Sequence, residues 1–149
     1  MIYVIIVLII FLSEMKIKNY IEKTKEMHKK EEIFKGNIII ERYHNKGAAL
    51  NFMENNVKKV KILAATLLGV VIFLFGVILP KKENQLLKLA MSLILGGALS
   101  NVYDRFAKGY VVDYFSFKWL KKIVFNISDI CIFLGAALIV VISLFKGDE

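Results

Sequence analysis

Residues 101–129 carry three short polar motifs, Asn101-Val-Tyr-Asp-Arg105, Val111-Val-Asp113 and Phe125-Asn-Ile-Ser-Asp129, between segments apolar enough to lie in a bilayer. A charged side chain at the centre of a membrane helix costs at least about 2.5 kcal/mol on insertion scales. A sequence that keeps several such groups close together therefore indicates a functional cluster. We interpret the remaining chain as the scaffold that holds this cluster at the membrane edge.

The composition is that of a membrane protein. Of the 149 residues 57% are hydrophobic, whereas about 45–50% is usual for a soluble domain. The apolar segments Val60–Leu79, Leu86–Val102 and Ile123–Phe145 approach or reach the roughly 20 residues that span hydrocarbon. A fourth, Met1–Leu12, spans if it continues through Lys18. We therefore predict an all-α membrane protein with four transmembrane helices and a single domain, residues 1–149.

Several other classes of protein are disfavoured. Met1–Leu12 has neither a preceding basic residue nor a small-residue cleavage site, which favours an uncleaved first helix over a signal peptide. The net charge of +8 suits anionic lipid headgroups, and no aromatic-basic nucleic-acid module is visible. His28 and His44 lie outside any metal-binding motif, so no metal site is expected. Cys131 is the single cysteine and excludes an internal disulfide.

The first connection contains a β-prone run. Residues Asn37–His44 favour a strand, and Asn45-Lys-Gly-Ala-Ala49 is typical of a turn followed by small residues. We predict a short strand pair or a loop on the membrane surface. Before it, Glu14 and Lys18 are four residues apart and can pair on one helical face. That pair fits either an interfacial ion pair or a charged post beside a site.

The third apolar segment predicts close helix packing. Ser92, Gly96 and Ser100 recur at four-residue spacing and form a small-residue face. In the last turn Asn101, Asp104 and Arg105 share a face, and we expect Arg105 to neutralise Asp104. This group fits a structural knot at the helix end as well as a functional site.

Asp113 and Asp129 are the candidate reactive groups, because neither has a basic neighbour inside its apolar segment. Two carboxylates brought together at low dielectric do not both ionise easily, so one keeps a proton. Such a pair supplies a base that activates water and an acid that protonates a carbonyl oxygen. An intramembrane carboxylate pair also suits proton or ion movement. The residues alone leave both hypotheses open.

These motifs resemble those of a known family, lipoprotein signal peptidase (signal peptidase II). The resemblance is carried by Gly96-Gly-Ala-Leu-Ser-Asn-Val-Tyr-Asp-Arg105, Gly109-Tyr-Val-Val-Asp-Tyr114, Phe125-Asn-Ile-Ser-Asp129, Asn45-Lys-Gly-Ala-Ala49 and the Glu14 to Lys18 spacing. They occur in the family's order along nearly the whole chain.

The resemblance implies a four-helix aspartyl endopeptidase of the bacterial cytoplasmic membrane, with a small sheet on the outer face. It implies cleavage of prolipoproteins just before a diacylglyceryl-modified cysteine, with Asp113 and Asp129 as the catalytic pair, water as attacking group and no cofactor. Membrane lipids are expected as further partners, nucleic acid is not, and the chain is expected to be a monomer. The supporting or substrate-binding residues implied are Glu14, Lys18, Asn45, Asn101, Asp104, Arg105 and Asn126.

The sequence departs from the family pattern at several positions. Glu14 and Met15 stand where Asp and Gln are usual, Ser100 replaces a glycine, and Ser128 replaces an alanine. They leave the aspartate pair intact and affect the expected substrate range and the geometry near the first helix. Two other hypotheses remain: a non-catalytic relative that binds lipidated peptides, and a small proton or ion translocator.

The distribution of basic residues conflicts with the topology that the resemblance implies. Most lysines and arginines lie in the first and third connections, whereas Lys81, Lys82, Lys88 and Lys146 lie on the opposite side. The positive-inside rule would place the first and third connections in the cytoplasm. The family resemblance places them outside, because its substrate is processed after translocation, and we follow the resemblance.

Overall fold

The computed structural model describes residues 1–47, 55–120 and 123–146. Four long helices, α1 (Ile2–Thr24), α2 (Val57–Ile78), α3 (Gln85–Ala107) and α4 (Ile127–Lys146), carry a small sheet. Its strands are β1 (Glu31–Ile33), β2 (Ile38–Asn45) and β3 (Val111–Phe117), and a short 3-10 turn, Lys118–Leu120, follows β3.

Three of the helices are long and apolar enough to cross a membrane: α2, α3 and α4 up to Phe145. Helix α1 has 23 residues, but charged residues occupy its C-terminal half, among them Glu14 and Lys18. The protein is thus mostly helical with several membrane-length helices, and the crossing by α1 stays a prediction.

The helix bounds differ from the predicted ones at the polar ends. Helix α1 continues to Thr24, beyond Lys18, and α3 continues to Ala107, beyond Val102. Helix α4 begins at Ile127 rather than Ile123, because Phe125 bridges to β3 and Asn126 caps the helix from outside it. Apolar content located the membrane-length segments, whereas hydrogen-bonding side chains mark the starts of α2 and α4, where Asn56 and Asn126 accept backbone N–H groups.

The sheet corrects the prediction of an all-α fold with a β element confined to the first connection. The predicted strand is confirmed as β2, but β2 lies between β1 and a third strand, β3, from the connection between α3 and α4. All pairs are antiparallel, and Asn45 lies opposite Val111 while Tyr43 lies opposite Asp113. The sheet therefore joins the first and third connections.

Helix α3 is the centre of the bundle and packs against α1, α2 and α4. A methyl group at Gly96 would lie 2.9 Å from the side chain of Ile10 in α1, and one at Gly97 would lie 2.4 Å from the carbonyl oxygen of Ser128 in α4. The predicted small-residue face is therefore confirmed, since glycines let the helices approach this closely.

Candidate active site

Asp113 lies in β3 and is 1% exposed. Strand pairing brings it beside the end of β2, where the Asn45 side-chain amide donates to its Oδ2 at 3.1 Å. The Asn126 amide donates to its Oδ1 at 2.7 Å. Each carboxylate oxygen therefore has an amide donor. Of the predicted Asn45-Lys-Gly-Ala-Ala49 element, Ala48 and Ala49 lie outside the described residues.

Asp129 lies in the first turn of α4 and forms a reciprocal cap with Asn126. The Asn126 side-chain oxygen accepts the backbone N–H of Asp129 at 2.9 Å, and Asp129 Oδ2 accepts the backbone N–H of Asn126 at 3.2 Å. This is a capping-box arrangement, with Asn and Asp in the usual Ser/Thr and Glu/Gln roles. Asn126 therefore precedes the helix, and Asp129 lies within its first turn.

Two side-chain amides in series, those of Asn126 and Asn101, link the carboxyl groups of the two aspartates. Asn126 Nδ2 is 2.7 Å from Asp113 Oδ1 and 3.2 Å from the Asn101 side-chain oxygen. Asn101 in turn donates from its own Nδ2 to Asp129 Oδ1 at 2.8 Å. The three predicted motifs of residues 101–129 thus converge in one hydrogen-bonded cluster.

Lys18 supplies the cation beneath this cluster and is 1% exposed. Its ammonium group donates to the side-chain oxygens of Ser100 and Asn101, both at 2.9 Å. It is also 3.2 Å from Asp104 Oδ2 and 3.5 Å from Glu14 Oε2. The predicted Glu14–Lys18 pair is present, but it lies in the interior of the protein. It therefore fits a charged pair beside the site and not an ion pair at the membrane interface.

The predicted Asp104–Arg105 neutralisation is wrong. Asp104 pairs with Lys18, and with Lys108 at 3.0 Å, and its Oδ2 accepts the backbone N–H of Val112 at 3.2 Å. Arg105 donates instead to the carbonyl oxygens of Asn101 and Gly47, at 3.2 and 3.1 Å. Adjacent helical residues point about 100° apart, so sequence neighbours do not face each other.

Burial sets the electrostatics of Asp113. Removal from water, followed by the nearby Asp129 charge, raises the pKa of Asp113 from 3.8 to about 7. Hydrogen bonds from Asn45 and Asn126, and the charge of Lys18, lower it in the opposite direction. Desolvation dominates, so Asp113 carries a proton at or below neutral pH.

Both aspartates border a single groove of about 560 Å³. Polar side chains lie at one end, and an apolar wall from α4 and the preceding segment completes it; the lining is Asn45, Asn101, Arg105, Val111, Asp113, Ile123, Val124, Phe125, Asp129, Ile132, Phe133 and Ala136. A second, mainly apolar cavity of about 430 Å³ between α2 and α3 shares Asn101, Arg105 and Ile132 with it.

Three further polar contacts were not predicted from the sequence. Ser100 accepts from Lys18, and both Tyr114 and Ser128 donate to Glu14. Tyr114 is 5% exposed, and its side chain points into the protein. The available signal was its place beside Asp113: successive strand residues point to opposite faces, so Tyr114 faces away from the groove.

The fold is that of a bacterial membrane enzyme. Two solved structures, each described as a bacterial membrane enzyme, superpose with TM-scores of 0.86 and 0.81. The first is 22% identical and covers 98% of this chain and 89% of its own; the second is 24% identical and covers 99% and 94%. At these identities the likeness shows the fold.

The sequence comparisons show the family. The family model of signal peptidase (SPase) II matches residues 6–145. The lipoprotein signal peptidase of Symbiobacterium thermophilum is 34% identical over 76% of this chain and 74% of its own length. That of Fusobacterium nucleatum is 29% identical over 97% and 87%, and that of Alteromonas mediterranea is 37% identical over 71% and 60%. The chain belongs to the signal peptidase II family, a family of membrane aspartic peptidases.

Proposed function

We propose that this chain cleaves the signal peptide of prolipoproteins just before a diacylglyceryl-modified cysteine, with Asp113 and Asp129 as the catalytic pair. One observation carries the proposal: the two carboxylates border the same groove, and Asn126 donates to both, from its side-chain amide to Asp113 and from its backbone N–H to Asp129. Family membership supports the substrate class, and the apolar wall of the groove suits a lipid-modified peptide.

The two aspartates have different surroundings, and these suggest their roles. Asp113 is the more deeply buried and holds a proton up to a pH of about 7, so it is the acid. Asp129 is only partly buried and lies at the N-terminus of α4, where the helix macrodipole favours an anion. Asp129 is therefore the base.

The proposed reaction balances its protons. Asp129 takes a proton from a water molecule, whose oxygen attacks the scissile carbonyl carbon while Asp113 protonates the carbonyl oxygen. The tetrahedral intermediate then loses a hydroxyl proton to Asp113 as the C–N bond breaks. Asp129 gives its proton to the leaving amine, and both carboxyl groups return to their starting states.

The remaining polar residues would hold this geometry. Asn126 and Asn101 fix the rotamers of the two carboxyl groups, and Lys18 places a positive charge beneath them. Arg105 ties α3 to the backbone of Gly47 beside Asn45 and also lines the groove, so we assign it to substrate positioning. We propose that α1 crosses the membrane with the other three helices and that the sheet lies on the outer face of a bacterial cytoplasmic membrane.

The test uses the purified full chain in lipid with a prolipoprotein carrying a diacylglyceryl cysteine. Wild type, Asp113→Asn and Asp129→Asn are compared with Glu83→Gln, which changes an exposed carboxylate away from the groove. We expect wild type and Glu83→Gln to cleave, and each aspartate variant to stay folded and lose activity by about 100- to 10,000-fold, as the loss of a general acid or base predicts.

The outcomes separate the hypotheses. A wild-type protein that binds the lipopeptide without cutting it would identify a binding relative. Full activity in either aspartate variant would refute the site assignment.

A further inference from the structure

Glu14 receives hydrogen bonds from two residues that directly adjoin the two aspartates. Tyr114, which follows Asp113, donates its hydroxyl to Glu14 Oε1. Ser128, which precedes Asp129, donates its hydroxyl to Glu14 Oε2 at 2.8 Å. One carboxylate of α1 thus holds both the strand and the helix that carry the aspartate pair.

The contact is buried on every side. Glu14 is 1% exposed, Ser128 is 0% and Tyr114 is 5%. Burial, followed by the Glu14 charge, raises the pKa of Tyr114, so its hydroxyl stays protonated and acts as a donor. Lys18, 3.5 Å from Glu14 Oε2, supplies the countercharge. A buried carboxylate with two hydroxyl donors and an ammonium group is well satisfied, which favours a fixed geometry.

Tyr114 also fastens the start of α4 directly. Its hydroxyl oxygen accepts the backbone N–H of Ile127 at 3.1 Å, one of the N-terminal amides that no helical carbonyl can accept. Tyr114 therefore connects β3, α1 and α4 beside the first turn of α4, which contains Asp129. None of Glu14, Tyr114 and Ser128 borders the groove.

We propose that Glu14, Tyr114 and Ser128 form a positioning clamp that sets the separation of the Asp113 and Asp129 carboxyl groups. This inference rests on the proposed function and deepens it. The clamp residues do not touch substrate; they act through their neighbours in the chain. The departures at Glu14 and Ser128 belong together, because the hydroxyl of Ser128 meets the carboxylate of Glu14.

The test compares Tyr114→Phe, Ser128→Ala and the double variant with wild type in the lipopeptide cleavage assay. Each change removes a hydroxyl group and leaves the rest of the side chain in place. Matched controls are Tyr20→Phe and Ser143→Ala, both at exposed positions. Folded protein is quantified for every variant by its thermal transition, and kcat, KM and the pH profile of kcat are measured.

We expect kcat of the double variant to fall about 10- to 100-fold, with KM changed by less than about twofold, because misplacement of reacting groups by a fraction of an ångström lowers the rate and not the binding. The bell-shaped pH profile should become narrower, since carboxylates that move apart repel each other less. The other charged groups near the pair are Glu14, Lys18, Asp104 and Arg105, and all variants retain them.

Two results would overturn the clamp. One is an active wild type whose double variant keeps the wild-type kcat and pH profile per folded molecule. The other is a loss of rate that matches the loss of folded protein with an unchanged profile, which is a purely structural role. An inactive wild type would instead refute the proposed function, and with it the catalytic role of the clamp.

Discussion

Asp113 is a buried carboxyl group, only 1% exposed, and burial changes its acidity. The pKa raised to about 7 by burial means that Asp113 is protonated below neutral pH and loses its proton above it. If Asp113 is the acid, we expect kcat to fall as the pH rises above about 7. The pH profile of kcat in lipid checks this, and a rate that stays flat from pH 7 to 9 would contradict it.

Asn45 offers a control on that assignment, because its amide lowers the pKa of Asp113. In Asn45→Ala the alkaline limb of the pH profile of kcat should therefore move to higher pH.

The pH dependence of stability tests the pKa of Asp113 without any turnover. A carboxyl group whose pKa is raised in the folded protein contributes stability that is fully present below pH 3.8 and is lost as the pH rises through about 7. Wild type should lose thermal stability against Asp113→Asn between about pH 4 and about pH 7, the interval between the two pKa values.

For individual residues, the sequence predicted which side chains form the site better than it predicted which of them pair with each other. Isolation within apolar segments, together with the family resemblance, singled out Asp113 and Asp129, and the structure brings them to one groove. The pairing of Arg105 with Asp104 failed, because Lys18 from α1 reaches Asp104 across the bundle. Contacts of this kind depend on how helices pack, which local spacing does not encode.

The packing of α3 against α4 determines the position of Asp129. A methyl group at Gly97 would lie 2.4 Å from the carbonyl oxygen of Ser128, in the first turn of α4. We expect Gly97→Ala to push that turn away and to cost about 1–3 kcal/mol in stability, as overpacking does. The activity per folded molecule should fall with it, as measured by kcat alongside the thermal transition.

Gly135→Ala is the matched control for Gly97→Ala. A methyl group there would lie 2.6 Å from the carbonyl oxygen of Ala90, in the same helix pair but further along α4 from Asp129, and Gly135 itself does not line the groove. It should lower stability to a similar extent and leave the activity of the folded fraction nearly unchanged. Equal loss of activity in the two variants would show that the Gly97 contact has no special bearing on Asp129.

The elements themselves were predictable to different degrees. Apolar length located α2, α3 and α4, and β propensity located β2. Strand β3 was not predicted, because Val111–Phe117 is buried at most positions and lacks a clear alternation of polar and apolar residues. The start of α4 was also predicted wrongly, although Asn126 followed by Asp129 three residues later is a recognisable capping pattern.

Charge distribution is a property of the whole molecule, and here it opposes the proposed orientation. The sheet and the polar ends of α1, α3 and α4 gather at one end of the bundle, with most of the basic residues. Some of that charge is neutralised locally: Lys18 pairs with Glu14 and Asp104, and Lys25 with Glu31 at 2.5 Å. Acidic residues weigh little in the positive-inside rule, so this pairing reduces the conflict without removing it.

The proposed function requires a site that faces outward, where a translocated prolipoprotein can reach it, and accessible cysteines test that orientation. Lys30 and Lys82 are both exposed and lie toward opposite ends of the bundle. In a Cys131→Ser background, Lys30→Cys should react with a membrane-impermeant maleimide on intact cells, whereas Lys82→Cys should react after permeabilisation. Cleavage activity in both variants is the control for native structure. The reverse labelling pattern would place the groove in the cytoplasm, as the basic residues alone predict, and a substrate would then have to be cut before export.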